Sequence, residues 1–456
     1  MLIASRTVQG IGGSGLITLV NLCIAGIFTP HSRGAYYGIV GSVWSLASAI
    51  GPLVGGAFTE SVSWRWCFYI NLPCDGLAFV IILFFLSNLH TPRTPLWAGL
   101  KQIDWLGCIC IIGGTVMFLL GLEFGGITYP WNSVIVICLF VFGAVAILLF
   151  VLNEWKLAIY PLIWFRIFSK RHNILCLLVG FVHGFVFIGG SYYLPLYFQA
   201  CRGATPILSG VYTLATTLSL SLSTFLTGIF ISKTDQYTYP IWFGLALMTL
   251  GYGLFTNLWR NSSWTKIILY QIVAGIGVGT NFQSPLIALQ SNVNPVYIAA
   301  ATTAFQFTRS LATSISVVVG GVIFQNEMSK QSGELIAALG PQTAQGLAGF
   351  GASASIHVVD RLPPGPREVV REALAQSMHY LWIVYACFSA AGLLLSFLIR
   401  REGLTRQHEQ TKTRLEMEKE KREERLRLEE EEERRQRKAA GLPNGDDVEK
   451  DASVGK

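Results

Sequence analysis

With 456 residues, 52% hydrophobic side chains, only 13% charged ones and a mean hydropathy of +0.48, the chain carries more apolar surface than one water-soluble core can bury. A soluble globular protein is excluded and a lipid-facing one implied. Residues 400–456 hold sixteen Lys/Arg and sixteen Asp/Glu, so the whole net charge of +7 belongs to the hydrophobic part, where basic residues stand singly between apolar runs, as in loops against an anionic leaflet and unlike the clustered face of a nucleic-acid binder.

A bilayer core about 30 Å thick needs roughly 20 apolar residues per helix. Such runs fall near 2–28, 34–58, 66–88, 104–122, 134–153, 174–198, 206–231, 239–257, 266–289, 298–324 and 378–399. The alternating segments of a membrane barrel are absent, and backbone in lipid must satisfy itself, so the runs read as helices. The fold class is an all-α integral membrane protein with about eleven transmembrane helices. Nine cysteines lie mostly within these runs without CxxC spacing and read as packing residues, so neither a metal nor a cofactor is called for.

Arg33, Arg93, Lys101, Lys156, Arg166, Lys170, Arg171, Lys233, Arg400 and Arg401 fall on one side of these spans. Arg65, Arg202, Arg260 and Lys266 fall on the other, together with a long loop over 325–377. The bias places the C-terminus in the cytosol. It also puts Asn261-Ser262-Ser263 outside, where Asn261 is a glycosylation acceptor. Eleven spans then leave the N-terminus outside.

In chain order, the first span places Arg6, Gln9 and Gly13 along one helical face, beside Gly10 and Gly12. An arginine at that depth needs a carboxylate, water or carbonyls. The second span carries Gly41 and then Gly51-Pro52-Leu53-Val54-Gly55-Gly56, in which Gly51 and Gly55 form a GxxxG packing face and Pro52 permits a bend. Each feature alone reads as tight helix packing.

Together, RxxQGxGG from Arg6, GPxxGG from Gly51 and Trp64-Arg65-Trp66-Cys67-Phe68-Tyr69-Ile70-Asn71-Leu72-Pro73 resemble the major facilitator superfamily, and within it the fungal branch of the fourteen-span drug:proton antiporters. The likeness continues through Gln102-Ile103-Asp104-Trp105, Tyr193-Leu194-Pro195-Leu196-Tyr197-Phe198-Gln199 and the Gly275, Gly277, Gly279 repeat. The resemblance implies a major facilitator fold in which Arg6, Gln9, Gly10, Gly41, Gly51, Pro52, Gly55 and Gly56 serve transport and gating. It also implies that the family's first three spans have no counterpart here, and with them its first-span acidic motif. The expected organisation is a three-span remnant of the N-terminal bundle over 1–88, two linker spans over 89–153, a six-span C-terminal bundle over 154–399 and a charged cytosolic tail over 400–456.

Polar residues inside spans carry the remaining candidates. Asp75 lies about two turns into its span, where the resembling proteins carry a small residue, and is a candidate proton carrier. Asn281, Gln283 and Gln306 are candidates for the substrate cavity, their amides being equally able to bond a neighbouring helix. Arg309 falls near the middle of the 298–324 run and is a gating candidate. His183, alone on an apolar span, reads as a core histidine, and Tyr192, Tyr193, Phe198 and Trp242 as aromatics that either line a cavity or pack. The 325–377 segment reads as an external loop with short helices, and residues 411–440 as a solvated helix laced with i,i+4 charge pairs.

No convergent His, Cys, Asp or Glu set suggests an enzyme. The resemblance implies a monomeric secondary transporter that exports hydrophobic drugs, toxins or secondary metabolites against protons, in the plasma membrane or else the vacuolar membrane. Two other readings stay open: a truncated chain that inserts without transporting, and an uptake carrier for siderophores or other nutrients on the same fold.

Overall fold

The computed structural model describes residues 2–85, 96–101, 103–125, 128–158, 162, 165–294, 297–340, 359 and 362–400. Arg93, Gln102, the Pro52 side chain, most of 341–361 and the tail with its expected helix lie outside the described residues. The chain divides into one unit of residues 1–293 with 299–408 and another of 294–298 with 409–456; the fold and site described belong to the first.

Ten helices among the described residues are long and apolar enough to cross a membrane. The eleventh expected span is the 18-residue helix Thr238–Phe255, whose threonines, tyrosines and glycines dilute its hydropathy.

α1 (Leu2–Ile27) turns into α2 (Pro30–Ser61), which starts on a proline whose fixed φ suits a first helical turn. Arg33, counted above as a loop cation, is instead buried: Nε donates to the Phe28 carbonyl at 3.0 Å and Nη2 to that of Ala25 at 2.6 Å. A cation thus closes the carbonyl end of α1, where the helix dipole favours it. The short α3 (Trp66–Tyr69) leads into α4 (Asn71–Phe85), which buries no residue.

α5 (Leu96–Lys101) precedes a hairpin of α6 (Trp105–Phe124) and α7 (Val134–Leu152). The two helices meet at Gly114 and Gly143: a methyl group on Gly114 would stand 3.1 Å from the Gly143 carbonyl oxygen. Asp104 caps α6 by accepting from the Gly107 amide at 2.9 Å, and a π-helical turn over Asn153–Leu157 returns Asn153 to hydrogen-bond the same carboxylate.

The larger bundle is built around α8 (Arg171–Ala200), nineteen of whose residues are buried. Around it stand α9 (Pro206–Tyr212), α10 (Leu214–Thr234), α11 (Thr238–Phe255), α12 (Trp264–Thr280), α13 (Ser284–Ser291), α14 (Ile298–Lys330), α15 (Ser332–Leu339) and α16 (Pro364–Ser396). Two expected spans are each broken in two. The 206–231 run splits at Thr213, and the 266–289 run splits at Asn281-Phe282-Gln283, just before Pro285, which lacks the N–H that would continue the helical ladder. The expected 325–377 loop is narrower than the charge pattern suggested. α14 runs to Lys330, and α16 begins at Pro364, its first turns burying Val370, Ala373 and Leu374 while Arg367, Glu368 and Arg371 make that stretch too polar to read as a span.

α2 joins the larger bundle along α10, and this contact is made by small residues. Ser42 Oγ donates to the Ser221 carbonyl and Ser221 Oγ to the Ser42 carbonyl, both at 3.1 Å. Further along, a methyl group on Gly228 would stand 2.5 Å from the Gly34 carbonyl oxygen and 2.8 Å from Gly38 Cα. Without a hydrophobic drive between helices in lipid, such close backbone approach and hydroxyl bonding are what hold them together.

Replacing Gly228 by Leu therefore forces α2 off α10 and is expected to cost about 1–3 kcal/mol, read as a lowered melting temperature of the detergent-solubilised protein. Gly253→Leu is the control, since a Cβ at Gly253 meets nothing within 4 Å. Equal melting of the two variants would show that the contact does not carry the junction.

Candidate functional site

A cavity of about 190 Å³ lies between α2, α8, α10, α11 and α12. Trp44, Phe187, Tyr252 and Phe255 supply its aromatic wall, and Ser45, Ser48, Ser191, Thr213, Thr216 and Thr217 its hydroxyls. It sits in the half of the bundle away from Arg400, whose carbonyl accepts from Tyr237 at 3.2 Å. Among the described residues no charged side chain lines it.

The end of the bundle at Arg400 is closed by polar bonds that cross from α1 and α2 to the larger bundle. Tyr37, fully buried, donates to the Asn21 carbonyl at 3.1 Å and accepts from Gln290 Nε2 at 3.0 Å. The same Gln290 amide reaches Thr302 Oγ1 at 2.9 Å, so one side chain of α13 gathers α1, α2 and α14. Beside it His31, in the first turn of α2, pairs with Asp235, which ends α10 in the left-handed region at φ 56°. Lys170 Nζ donates to the Asn292 carbonyl at 2.9 Å, and His172 Nε2 to that of Ala288 at 3.0 Å.

Between closure and cavity lies the break in the α12–α13 span. At the break two side chains donate to main-chain carbonyls, that of Val278, which also accepts from the Asn281 amide at 3.1 Å, and that of Phe282. His183 Nε2 donates to the Val278 carbonyl at 3.0 Å, which fixes its tautomer because a carbonyl only accepts. Arg309 Nη1 donates to the Phe282 carbonyl at 3.3 Å, with the guanidinium 4.3 Å from the Phe282 ring centroid. Among the described residues no carboxylate pairs with Arg309; a carbonyl and a ring face hold it, and Gly184 leaves room for its stem. Phe282 in turn lies 5.1 Å from Trp44 and 5.9 Å from Phe187, centroid to centroid, so the arginine is one ring behind the cavity wall.

The other candidates fall as follows. Asn281 is buried in the break with Nδ2 on the Gly277 carbonyl at 3.3 Å, packed against Gly244 of α11. Gln283 borders the gap between Gly34, Gly38 and Gly228, and Gln306 is half-buried on α14; none of these amides lines the cavity. Gly41 packs on Thr224 of α10, Gly55 against Cys67, and Gly56 against Ile207 of α9. Arg6 and Gln9 bond each other at 3.0 Å on the exposed face of α1, with Arg6 4.6 Å from the Phe68 ring, while Gly10, Gly51 and Asp75 are exposed. Asn261 is exposed in the turn between α11 and α12.

Of the aromatics, Tyr193 donates to the Val317 carbonyl at 2.8 Å, Trp242 to that of Ser396 at 2.9 Å, and Phe198 packs on Tyr212 and Trp264. Tyr192 is exposed, and none of the four lines the cavity. The residues that do line it were missed. The available signal was hydroxyls at helical spacing on otherwise apolar runs, Ser45 with Ser48 and Thr213 with Thr216 and Thr217.

A membrane-embedded helical bundle with a charge-free cavity, closed at one end by bonds that side-chain rearrangement can break, has the form of a carrier. A model of the major facilitator superfamily matches residues 1–317, and the chain belongs to that superfamily: it is a secondary transporter and an integral membrane protein. It is 52% identical over 412 residues to a protein of Dothistroma septosporum named efflux pump dotC, an alignment covering 90% of this chain and 70% of the relative. It is 49% identical over 413 residues to the MFS-type transporter ppz2 of Metarhizium majus, covering 91% and 71%. Against the efflux pump FUS6 of Gibberella moniliformis it is 31% identical over 408 residues, covering 88% and 71%.

Removing the Arg309 guanidinium leaves the Phe282 carbonyl without its donor. A hydrogen bond to a charged group is worth about 1.5–3 kcal/mol, so Arg309→Ala is expected to lower transport by roughly tenfold or more with surface expression intact. Transport at the parent rate would remove Arg309 from the working cycle.

Proposed function

We propose that the protein exports hydrophobic small molecules in exchange for protons, by alternating access around the cavity. The observation that carries this reading is the pairing of an aromatic cavity whose described lining is uncharged with a hydrogen-bonded closure that ties α2 to the larger bundle at the Arg400 end. A carrier works by exposing one site to two sides in turn, and bundles that rock against each other around a central site do this with little internal change. The relatives named efflux pumps support the export direction.

On this reading the tail is cytosolic, the protein acts as a monomer in the plasma membrane, and the cavity faces outward when the Tyr37–Gln290 and His31–Asp235 contacts are made. Releasing them opens the cytosolic side, and α2 moves against α10 along the serine and glycine contacts. Arg309, held by a main-chain carbonyl and a ring rather than by a carboxylate, is a gating residue that can change partners as the α12–α13 break flexes. Asp75 is the proposed proton carrier from the exposed face of α4, and Asn261 the proposed glycosylation site.

The test is accumulation of Nile red and 7-hydroxycoumarin in a yeast host lacking its own efflux pumps. Cells expressing the protein are expected to hold less of both dyes than control cells, and a protonophore is expected to erase the difference. Equal accumulation with and without the protein would refute export, and a difference that survives the protonophore would refute proton coupling.

A further inference from the structure

The hydrogen-bond economy of the cavity wall narrows what it can hold. Five of its six serine and threonine hydroxyls already donate elsewhere. Ser45 Oγ gives its hydrogen to the Gly41 carbonyl at 2.7 Å, Ser48 to that of Trp44 at 3.0 Å, Thr213 to that of Gly210 at 2.9 Å and Thr217 to that of Thr213 at 3.2 Å. In each of these four the partner is a carbonyl, so the hydroxyl must be the donor. Thr216 donates to Gln271 Oε1 at 2.9 Å. Ser45 is fully buried, so what the wall keeps for a ligand is the acceptor lone pairs of the other four.

Ser191 and Tyr252 are the hydroxyls on the wall with no hydrogen bond among the described residues, and both stand on the α8 and α11 side. The α2 and α10 side therefore accepts, and the opposite side retains two groups that donate. Charge is absent from the lining, and Arg309 stays behind the Phe282 ring. A charged ligand entering such a space loses its hydration without gaining a counter-charge. The aromatic side chains Trp44, Phe187, Tyr252 and Phe255 offer ring faces and edges instead. At about 190 Å³ the space is below the roughly 300–1,000 Å³ typical of pockets for drug-sized ligands, so a compact ring system suits it.

We infer that the cavity selects uncharged, compact aromatic molecules that bring their own hydrogen-bond donors, phenols above all, and rejects organic cations and anions. This rests on the reading of the cavity as the transport site. Selection arises because a hydroxyl on the ligand meets acceptors whose own hydrogens are committed, whereas an ion loses its hydration and meets no opposite charge among the described lining residues.

The experiment is equilibrium binding to the full chain in lipid nanodiscs, read as tryptophan quenching that disappears in Trp44→Phe, with protein-free nanodiscs as the partition reference. The probes are 7-hydroxyflavone at a pH where it is uncharged, 7-fluoroflavone of nearly the same shape without a donor, and two compact aromatic ions no larger than these, N-methylquinolinium and 2-naphthoate. One hydrogen bond of ordinary net strength corresponds to about 3–10-fold in affinity, so 7-hydroxyflavone is expected to bind tighter than 7-fluoroflavone by that factor. The two ions are expected to leave the Trp44 signal unchanged. Ser48→Ala with Thr217→Val, which removes two of these acceptors and leaves the main-chain helix bonds in place, is expected to reduce the preference for the hydroxyl and to keep 7-fluoroflavone binding, which also shows that the variant is folded.

Equal affinity of the two flavones, or either ion quenching Trp44 as tightly as 7-hydroxyflavone, would overturn the inference. Quenching by neither flavone while dye efflux persists in cells would also overturn it, since transport would then use another site. Binding as expected with no efflux in cells would leave this selectivity standing and sink the export reading instead.

Discussion

The contact on which the rest of the structure depends is the crossing of α2 over α10. Two glycines on one helix, Gly34 and Gly38, meet Gly228 on the other so closely that no larger residue fits, and paired serines at 42 and 221 bond each other's main chain. In lipid a leucine face gains nothing by meeting another helix rather than an acyl chain, so the junction uses approach and hydrogen bonds. Because α2 is fixed there, Trp44, Ser45 and Ser48 are presented to the cavity on one stretch of it, and His31 and Tyr37 to the closing contacts on another. A smooth seam of small residues is also a surface along which two helices can slide, which suits a part that must both hold and move.

A second constraint runs through the break in the α12–α13 span. Irregular backbone at membrane depth is tolerated only where protein satisfies it. Here the helix breaks just before Pro285, and His183 adds a donor to the Val278 carbonyl while Arg309 donates to that of Phe282. The same interruption explains how an arginine survives in the interior without a carboxylate. Its charge is met by a carbonyl dipole and the face of Phe282, and Phe282 belongs to the ring cluster that reaches Trp44 at the cavity. Closure, break and cavity are thus linked through contiguous packing, and a change at Arg309 has a physical route to the site.

The membrane class and the positions of the helices were legible in the sequence because each rests on long apolar runs. The superfamily was legible from the Arg6, Gly51 and Trp64 motifs. Arg309 stood out as the one arginine deep in the later spans, and its cost in lipid pointed to a special partner. Other features were hidden for definite reasons. Gly228 is a single glycine whose meaning depends on Gly34 and Gly38, nearly two hundred residues away in the chain. The hydroxyls of the cavity resemble ordinary small packing residues until their neighbours are known. Asn281 and Gln283 were noticed as polar residues in an apolar run, but they mark a helix break rather than a cavity wall. The charged first turns of α16 concealed a helix that buries Val370 and Leu374.

The most direct measurement is the distance between spin labels at positions 36 on α2 and 230 on α10, recorded by pulsed electron resonance in sealed proteoliposomes, before and after adding 7-hydroxyflavone and imposing a proton gradient. The account requires one short, narrow distance at rest and a second, longer population under turnover conditions, because the tail-side end must open while the seam slides. A single unchanged distance in protein that still transports would contradict it.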